Sequence, residues 1–293
     1  MKKSTFFLVA ALFCGSLSTF AQDDEVRITP ATDPDTFDPA FTFNKDYKYY
    51  GILLDDETKE ANLTDDQYVY LGADAAEGRN LYIWDGSSTF VDPSGVNSFG
   101  VPGGYLAYQV GTAGWSGLGY NINADKSYDL SGINDEYTFH MALMSTGNDP
   151  VDFYLTDGQG REAHLVFGDA AAFDHDAIGN FERDGEWYNI DIPMTYLEDN
   201  FGLSFKKDKE YKDKNILCIL AGGTKGFTIN YDAIFFYGPK NSTSGVKEIN
   251  ATEKNAPVAV YTVDGKQVSK QFAKANKGMY IVKQGAETKK VVF

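Results

Sequence analysis

Cysteine is almost missing from this chain. Of its two, Cys14 lies in an N-terminal apolar segment and Cys218 is the only other, so once that segment is discounted no internal disulfide can form and the core must hold the fold. Histidine is scarce as well: none of the three stands at a zinc-type spacing, which removes the commonest metallohydrolase patterns. Beyond residue 21 no stretch is apolar and long enough for a membrane helix, so no transmembrane segment is expected in the mature chain. Basic residues are few, 26 against 42 acidic. A negative field of that size repels nucleic acid and anionic headgroups and suits neutral ligands or cations.

The N-terminus has the three parts of an export signal. Lys2 and Lys3 are followed by the apolar run Phe6 to Phe13, and the small residues Thr19 and Ala21 sit before Gln22. Cleavage near Ala21 and a secreted or outer-surface location are the expectation. A lipoprotein signal at Cys14 would need a small residue before it, where Phe13 stands. Without Lys2 and Lys3 the net charge is −18, and it is unevenly spread. Residues 246–293 carry nine lysines against Glu248, Glu253, Asp264 and Glu287, whereas residues 22–245 carry −23. That change of sign marks a domain boundary.

Residues 22–66 are acidic and broken by Pro30, Pro34 and Pro39, and read as an extended lead-in with one strand near Tyr50 to Leu54. From Gln67 short alternating runs follow one another: Tyr68 to Leu71, Asn80 to Trp84, Tyr105 to Val110, Trp115 to Ile122 and Tyr137 to Leu143. Val151 to Leu155 turns through Asp157–Gly160 into Ala163 to Phe167, a hairpin. Tyr188, Ile190 and Ile192 alternate, Ile216, Cys218 and Leu220 form the next inward set, and Phe227 to Tyr237 closes the series. One short helical turn is predicted near Met194 to Asn200. So many short strands with so little helix predict an all-β fold, a two-sheet antiparallel β-sandwich over residues 67–238. A polar linker at 239–250 leads to a small C-terminal β domain at 251–293. Its strand pairs are Val258–Val263 with Lys266–Val268, and Gly278–Lys283 with Lys289–Phe293.

The C-terminal residues Val260-Tyr261, Asp264-Gly265-Lys266-Gln-Val268, Lys277-Gly278-Met-Tyr-Ile-Val282 and Lys290-Val-Val-Phe293 resemble the type A sorting domain of the Bacteroidetes type IX secretion system. The Pro-Asn-Pro opening usual there is absent. The resemblance implies type IX secretion machinery as a partner and passage across the outer membrane. The middle is similar to the galactose-binding-like jelly roll of many carbohydrate-binding modules, through Trp115-Ser-Gly-Leu-Gly119, Asp129-Leu-Ser-Gly132, Asp184-Gly-Glu-Trp187 with Ile190-Asp-Ile-Pro193, and Asn230 to Tyr237. That resemblance implies a jelly-roll sandwich, a polysaccharide or other glycan as ligand, and a structural calcium ion held by an acidic residue on the last strand. Such domains also serve as structural or adhesive spacers.

Sugar rings present apolar faces that stack on aromatic side chains, so the tryptophans are the first candidates. Trp84 ends a strand before the Asp85-Gly86 turn, Trp115 is followed by Gly117 and Gly119, and Trp187 is the one expected to pack structurally. His140, Tyr154 and His164 lie opposite the apolar sets of their strands and could line a groove with Trp84 and Trp115. Asp232 interrupts an apolar strand and must be solvated, paired or metal-bound. With Asp85 and Asp74 as further donors it forms the candidate calcium set. Asp174-His175-Asp176 reads as a polar loop, and Cys218 as a small buried hydrophobe. No carboxylate pair or phosphate-binding glycine loop stands out, so the chain is read as a binding protein and not an enzyme.

Overall fold

The computed structural model describes residues 25–111, 114–169 and 173–240 and, toward the C-terminus, 258–262, 266–268, 279–284 and 287–292. The chain divides into two compact units, Met1–Lys240 and Asn241–Phe293. Residues 1–21, read above as an export signal, lie outside the described residues.

In chain order the first unit contains β1 (Arg27–Pro30), β2 (Tyr47–Leu53), helix α1 (Asp56–Asn62), β3 (Tyr68–Tyr70), β4 (Arg79–Ile83), β5 (Ser88–Val91), β6 (Leu106–Val110) and β7 (Gly114–Ile122). It continues with β8 (Thr138–Met144), β9 (Val151–Thr156), β10 (Glu162–Phe167), β11 (Ala177–Gly179), β12 (Tyr188–Pro193), α2 (Met194–Phe201), β13 (Lys214–Gly223) and β14 (Thr228–Pro239). One sheet runs β1-β12-β8-β14-β2-β3, with β6 and then β5 beside the first half of β14. The other runs β11-β10-β9-β13-β7-β4. Pairing is antiparallel except for two short edge pairs, β2 with β3 and β10 with β11. This is the all-β, two-sheet sandwich that the alternation predicts.

The core lies between the sheets. Tyr137, Phe139, Met141 and Leu143 share one face, as their spacing predicts, and meet Phe153, Leu155, Leu165 and Ile219 from the other sheet. The layer includes a polar contact between the sheets, where the hydroxyls of Tyr120 and Tyr231 stand 3.1 Å apart. Each buried hydroxyl thereby keeps a partner. Helix α2 sits where the helical turn is predicted and buries Met194 and Leu197. It ends at Gly202, whose φ of 69° lets its N–H reach the carbonyl of Glu198 at 2.8 Å.

Two readings of the sequence need correction. Residues 25–66 are not a lead-in outside the sandwich: β1 extends one edge of the eight-stranded sheet, and β2 pairs with β14 inside it. The proline-rich stretch between them crosses the outer face of that sheet as a strap, and Phe41 and Phe43 pack there against Tyr49, Phe235 and Tyr237. Prolines cannot donate to a ladder, so this stretch covers a sheet without joining it. The second correction concerns β13. A β-bulge between Asn215 and Leu217 places one extra residue there. Ile216 and Leu217 both enter the core with Ile219 and Ala221, and Cys218 and Leu220 turn to the opposite face.

The C-terminal unit is one antiparallel sheet, β16-β15-β17-β18, built from β15 (Val258–Thr262), β16 (Gln267–Val268), β17 (Met279–Gln284) and β18 (Glu287–Val292). The expected strand pairs are present, and β15 joins them by pairing with β17.

Because the strap seals an aromatic layer, Phe41→Ala should lower the unfolding free energy by roughly 2–3 kcal/mol, read from the denaturant midpoint. A change below a few tenths of a kcal/mol would show that the strap does not bear on stability.

Candidate functional site

The outer face of the six-stranded sheet carries a row of rings. On β4, alternation sends Tyr82 to that face, and Trp84 follows where the chain turns away. The neighbouring strand offers no side chain beneath them. Trp84 lies over Gly117, where a Cβ would overlap the indole, and Tyr82 lies over Gly119, where a Cβ would stand 3.0 Å from its hydroxyl. Glycine at both positions lets the rings approach the strand closely. The two rings meet edge to face at 5.4 Å. The Tyr82 hydroxyl reaches past β7 and donates to Asn215 Oδ1 on β13 at 3.0 Å, and Asn121 Nδ2 approaches the same oxygen at 3.4 Å.

The row continues across the sheet through the register Gly119, Cys218, Tyr154, His164. Cys218 is fully buried here, and burial pushes its thiol up to about 12, which leaves it inert at neutral pH. Tyr154 stacks on His164 at 4.8 Å with planes 24° apart. His164 is held from two sides, Nδ1 by Asp152 Oδ2 at 2.6 Å and Nε2 by Glu162 Oε2 at 3.5 Å. Burial lowers the pKa of this imidazole, but the two carboxylates together outweigh burial and hold it above the usual histidine value. Trp115, at the start of β7 and on the same face as Gly117 and Gly119, is 49% exposed. From β4 to β10 the row crosses four inter-strand gaps, about 19 Å.

The candidates read from the sequence separate accordingly. Trp84, Trp115, Tyr154 and His164 come together on this face. His140 does not. It lies on β8 in the other sheet, fully buried under the strap between Phe41 and Phe235 at 4.5 and 4.8 Å. Its Nδ1 meets Asp191 at 2.9 Å. Alternation placed it opposite the core of its own strand but could not say which sheet that strand joins. Trp187 packs structurally, as expected: it is buried against Tyr105 and donates to the carbonyl of Val96 at 2.9 Å.

Two members of the site were missed. Tyr82 carries the same alternation signal as Trp84. His175 was read as part of a polar loop and stacks on His164 at 3.6 Å with planes 15° apart, a contact made between residues eleven apart that no local pattern announces.

The three aspartates proposed for calcium do not form one donor set. Asp74 caps a 3₁₀ turn by accepting from Ala76 N at 3.0 Å, and Asp85 sits exposed in the turn after β4. Asp232 is buried in β14 of the other sheet, where the hydroxyl and N–H of Ser98 donate to Oδ2 at 2.6 and 3.2 Å. Among the described residues no three His, Cys, Asp or Glu side chains gather as a metal site.

No protein-family model matches the chain, and no curated protein does. Solved structures do. The family 30 carbohydrate-binding module of a Clostridium thermocellum cellulosomal cellulase is 15% identical at a TM-score of 0.35, covering 56% of this chain and 93% of that one. The family 11 module of a second cellulosomal cellulase from Clostridium thermocellum is 11% identical at 0.32, covering 55% and 88%. A mutant of a family 29 module is 10% identical at 0.29, covering 65% and 91%. All three are carbohydrate-binding modules. At TM-scores of this size nothing is carried from them to the face described above, which stands on its own geometry.

Gly117→Ala should force the Trp84 indole off the sheet, reducing its near-ultraviolet dichroism and costing about 1–3 kcal/mol; an unchanged spectrum would show that the ring does not lie there. Asp232 gives a pH signature. Burial raises its pKa to about 6, above the unfolded value, so the native state holds the proton more tightly. Its contribution to stability falls as pH rises from about 4 to about 6, by on the order of 3 kcal/mol. Asp232→Asn should then melt higher than wild type at neutral pH, with the gap closing near pH 4. A gap that does not depend on pH would contradict the shift.

Proposed function

We propose that this chain is an exported glycan-binding protein that holds its ligand without transforming it. The observation that carries the reading is the row of rings across the outer face of the six-stranded sheet, with Trp84 and Tyr82 lying over glycines and Tyr154 and His164 continuing the line. Aromatic surface in line across strands offers contacts to the apolar faces of consecutive sugar rings. The amides of Asn121 and Asn215 lie beside it to bond hydroxyls. A spacer or adhesive role would need no such arrangement. It would be favoured by burial of every tryptophan, and Trp115 is half exposed.

The chemistry of the face also supports binding over catalysis. Asp152 is buried and committed to His164, which leaves it poorly suited to act as one of two opposed catalytic carboxylates. Acidic residues dominate the chain and work against uronic or sulfated polysaccharides, so neutral glycans are the ligand class. The residues at the two ends supply the route: a signal segment at 1–21 for the inner membrane, and a C-terminal unit resembling a type IX sorting domain for the outer one.

Affinity gel electrophoresis of the mature chain against neutral polysaccharides (hydroxyethyl cellulose, glucomannan and xyloglucan) tests this. Retardation by at least one is expected, with Trp84→Ala, Trp115→Ala and Tyr154→Ala each weakening it about tenfold, or about 1.4 kcal/mol. If no polysaccharide slows the protein, or the three substitutions leave its migration unchanged, the reading is wrong.

A further inference from the structure

His175 reaches the ring row from the loop before β11 and lies face to face on His164 at 3.6 Å. That is the separation at which a sugar ring would rest on the same imidazole, so His175 covers the last ring of the row. The geometry points to His175 as a cap on the Tyr154–His164 end of the site, released when both imidazoles carry charge, so that glycan binding strengthens on acidification. This inference rests on the glycan-binding reading and adds regulation to it.

The groups around the pair fix the order of events. Asp152 and Tyr154 face His164 from β9, Glu162 from β10 and the buried Cys218 thiol from β13, while Asp174 and Asp176 flank His175 on its loop. Two carboxylates within reach of His164 and none bonded to His175 among the described residues direct the first proton to His164. A neutral His175 ring then lies on an imidazolium, which is an attractive arrangement. The second proton places two like charges 3.6 Å apart, where Coulomb repulsion is strong even at high effective dielectric. His175 is exposed and His164 is held from two sides, so His175 is the ring that moves. Its departure bares His164, and apparent affinity rises by the inverse of the uncapped fraction before acidification.

All three histidines of the chain fall on described residues, so each imidazole resonance can be assigned by single substitution. NMR of the ligand-free mature chain should show contact between the His164 and His175 rings at about pH 7.5 that is lost at about pH 5. A stack that persists at the lower pH overturns the cap. Affinity gels with hydroxyethyl cellulose, glucomannan and xyloglucan at about pH 7.5 and about pH 5 supply the second readout. Wild type should bind a retarding polysaccharide about tenfold more tightly at the lower pH, and His175→Ala should bind that tightly at both. Weaker binding by His175→Ala at both pH values overturns the cap, because the ring is then part of the platform. If the stack opens on acidification and no polysaccharide retards either protein, the glycan reading fails, and with it the cap as a regulator of glycan binding.

Discussion

Every strand of the six-stranded sheet gives one residue in two to the core and the other to the face outside it, and both sets are specialised. The inward set is aliphatic and aromatic: Leu118 and Tyr120, Phe153 and Leu155, Leu165 and Phe167. The outward set places glycine and cysteine beside large rings, which leaves room for Trp84, Tyr82 and Tyr154. A one-residue slip anywhere would exchange the two sets. The bulge in β13 is what reconciles them, since it takes Ile216 and Leu217 inward together and leaves Cys218 beneath Tyr154. A larger residue than cysteine at that point would lift the ring beside it.

The other sheet solves a different problem. Its outer face is as aromatic as the first sheet's but is not left to solvent, because the strap from Ala31 to Phe43 closes it. His140 and Asp191 are enclosed as a hydrogen-bonded pair. Burial raises the carboxyl of Asp191, and His140, Arg27 and Tyr237 together more than reverse that and hold it ionised. The sandwich thus has one face where the strap covers an aromatic layer and one where the row of rings is left uncovered. With no disulfide available, this second aromatic layer adds buried apolar surface to a chain whose acidic charge repels itself.

Charge and burial divide the acidic residues into two kinds. Most are exposed and set the field around the protein. Among those wholly or largely buried, three are compensated in different ways: Asp152 faces His164, Asp191 faces His140, and Asp232 takes two donors from Ser98. Asp232 alone of these three has no histidine beside it, and burial raises its pKa to about 6, consistent with the cost of an ionised group away from water.

The sequence by itself determined the class of fold, the strands, the hairpin through Asp157–Gly160, the helical turn at Met194 and the facing of Tyr154 and His164, because these follow from alternation and turn chemistry within a few residues. It also singled out Trp84 and Trp115. It could not determine which sheet a strand enters, so His140 was grouped with residues it never meets. Nor could it show that a proline-broken segment is a strap, or that a bulge reverses the phase of Cys218. Those outcomes were decided by the tertiary structure, since strand order and register are settled by contacts between residues far apart in the chain. The stack of His175 on His164 belongs to the same class: a loop of unremarkable composition acquires its role only from the strand it folds back upon.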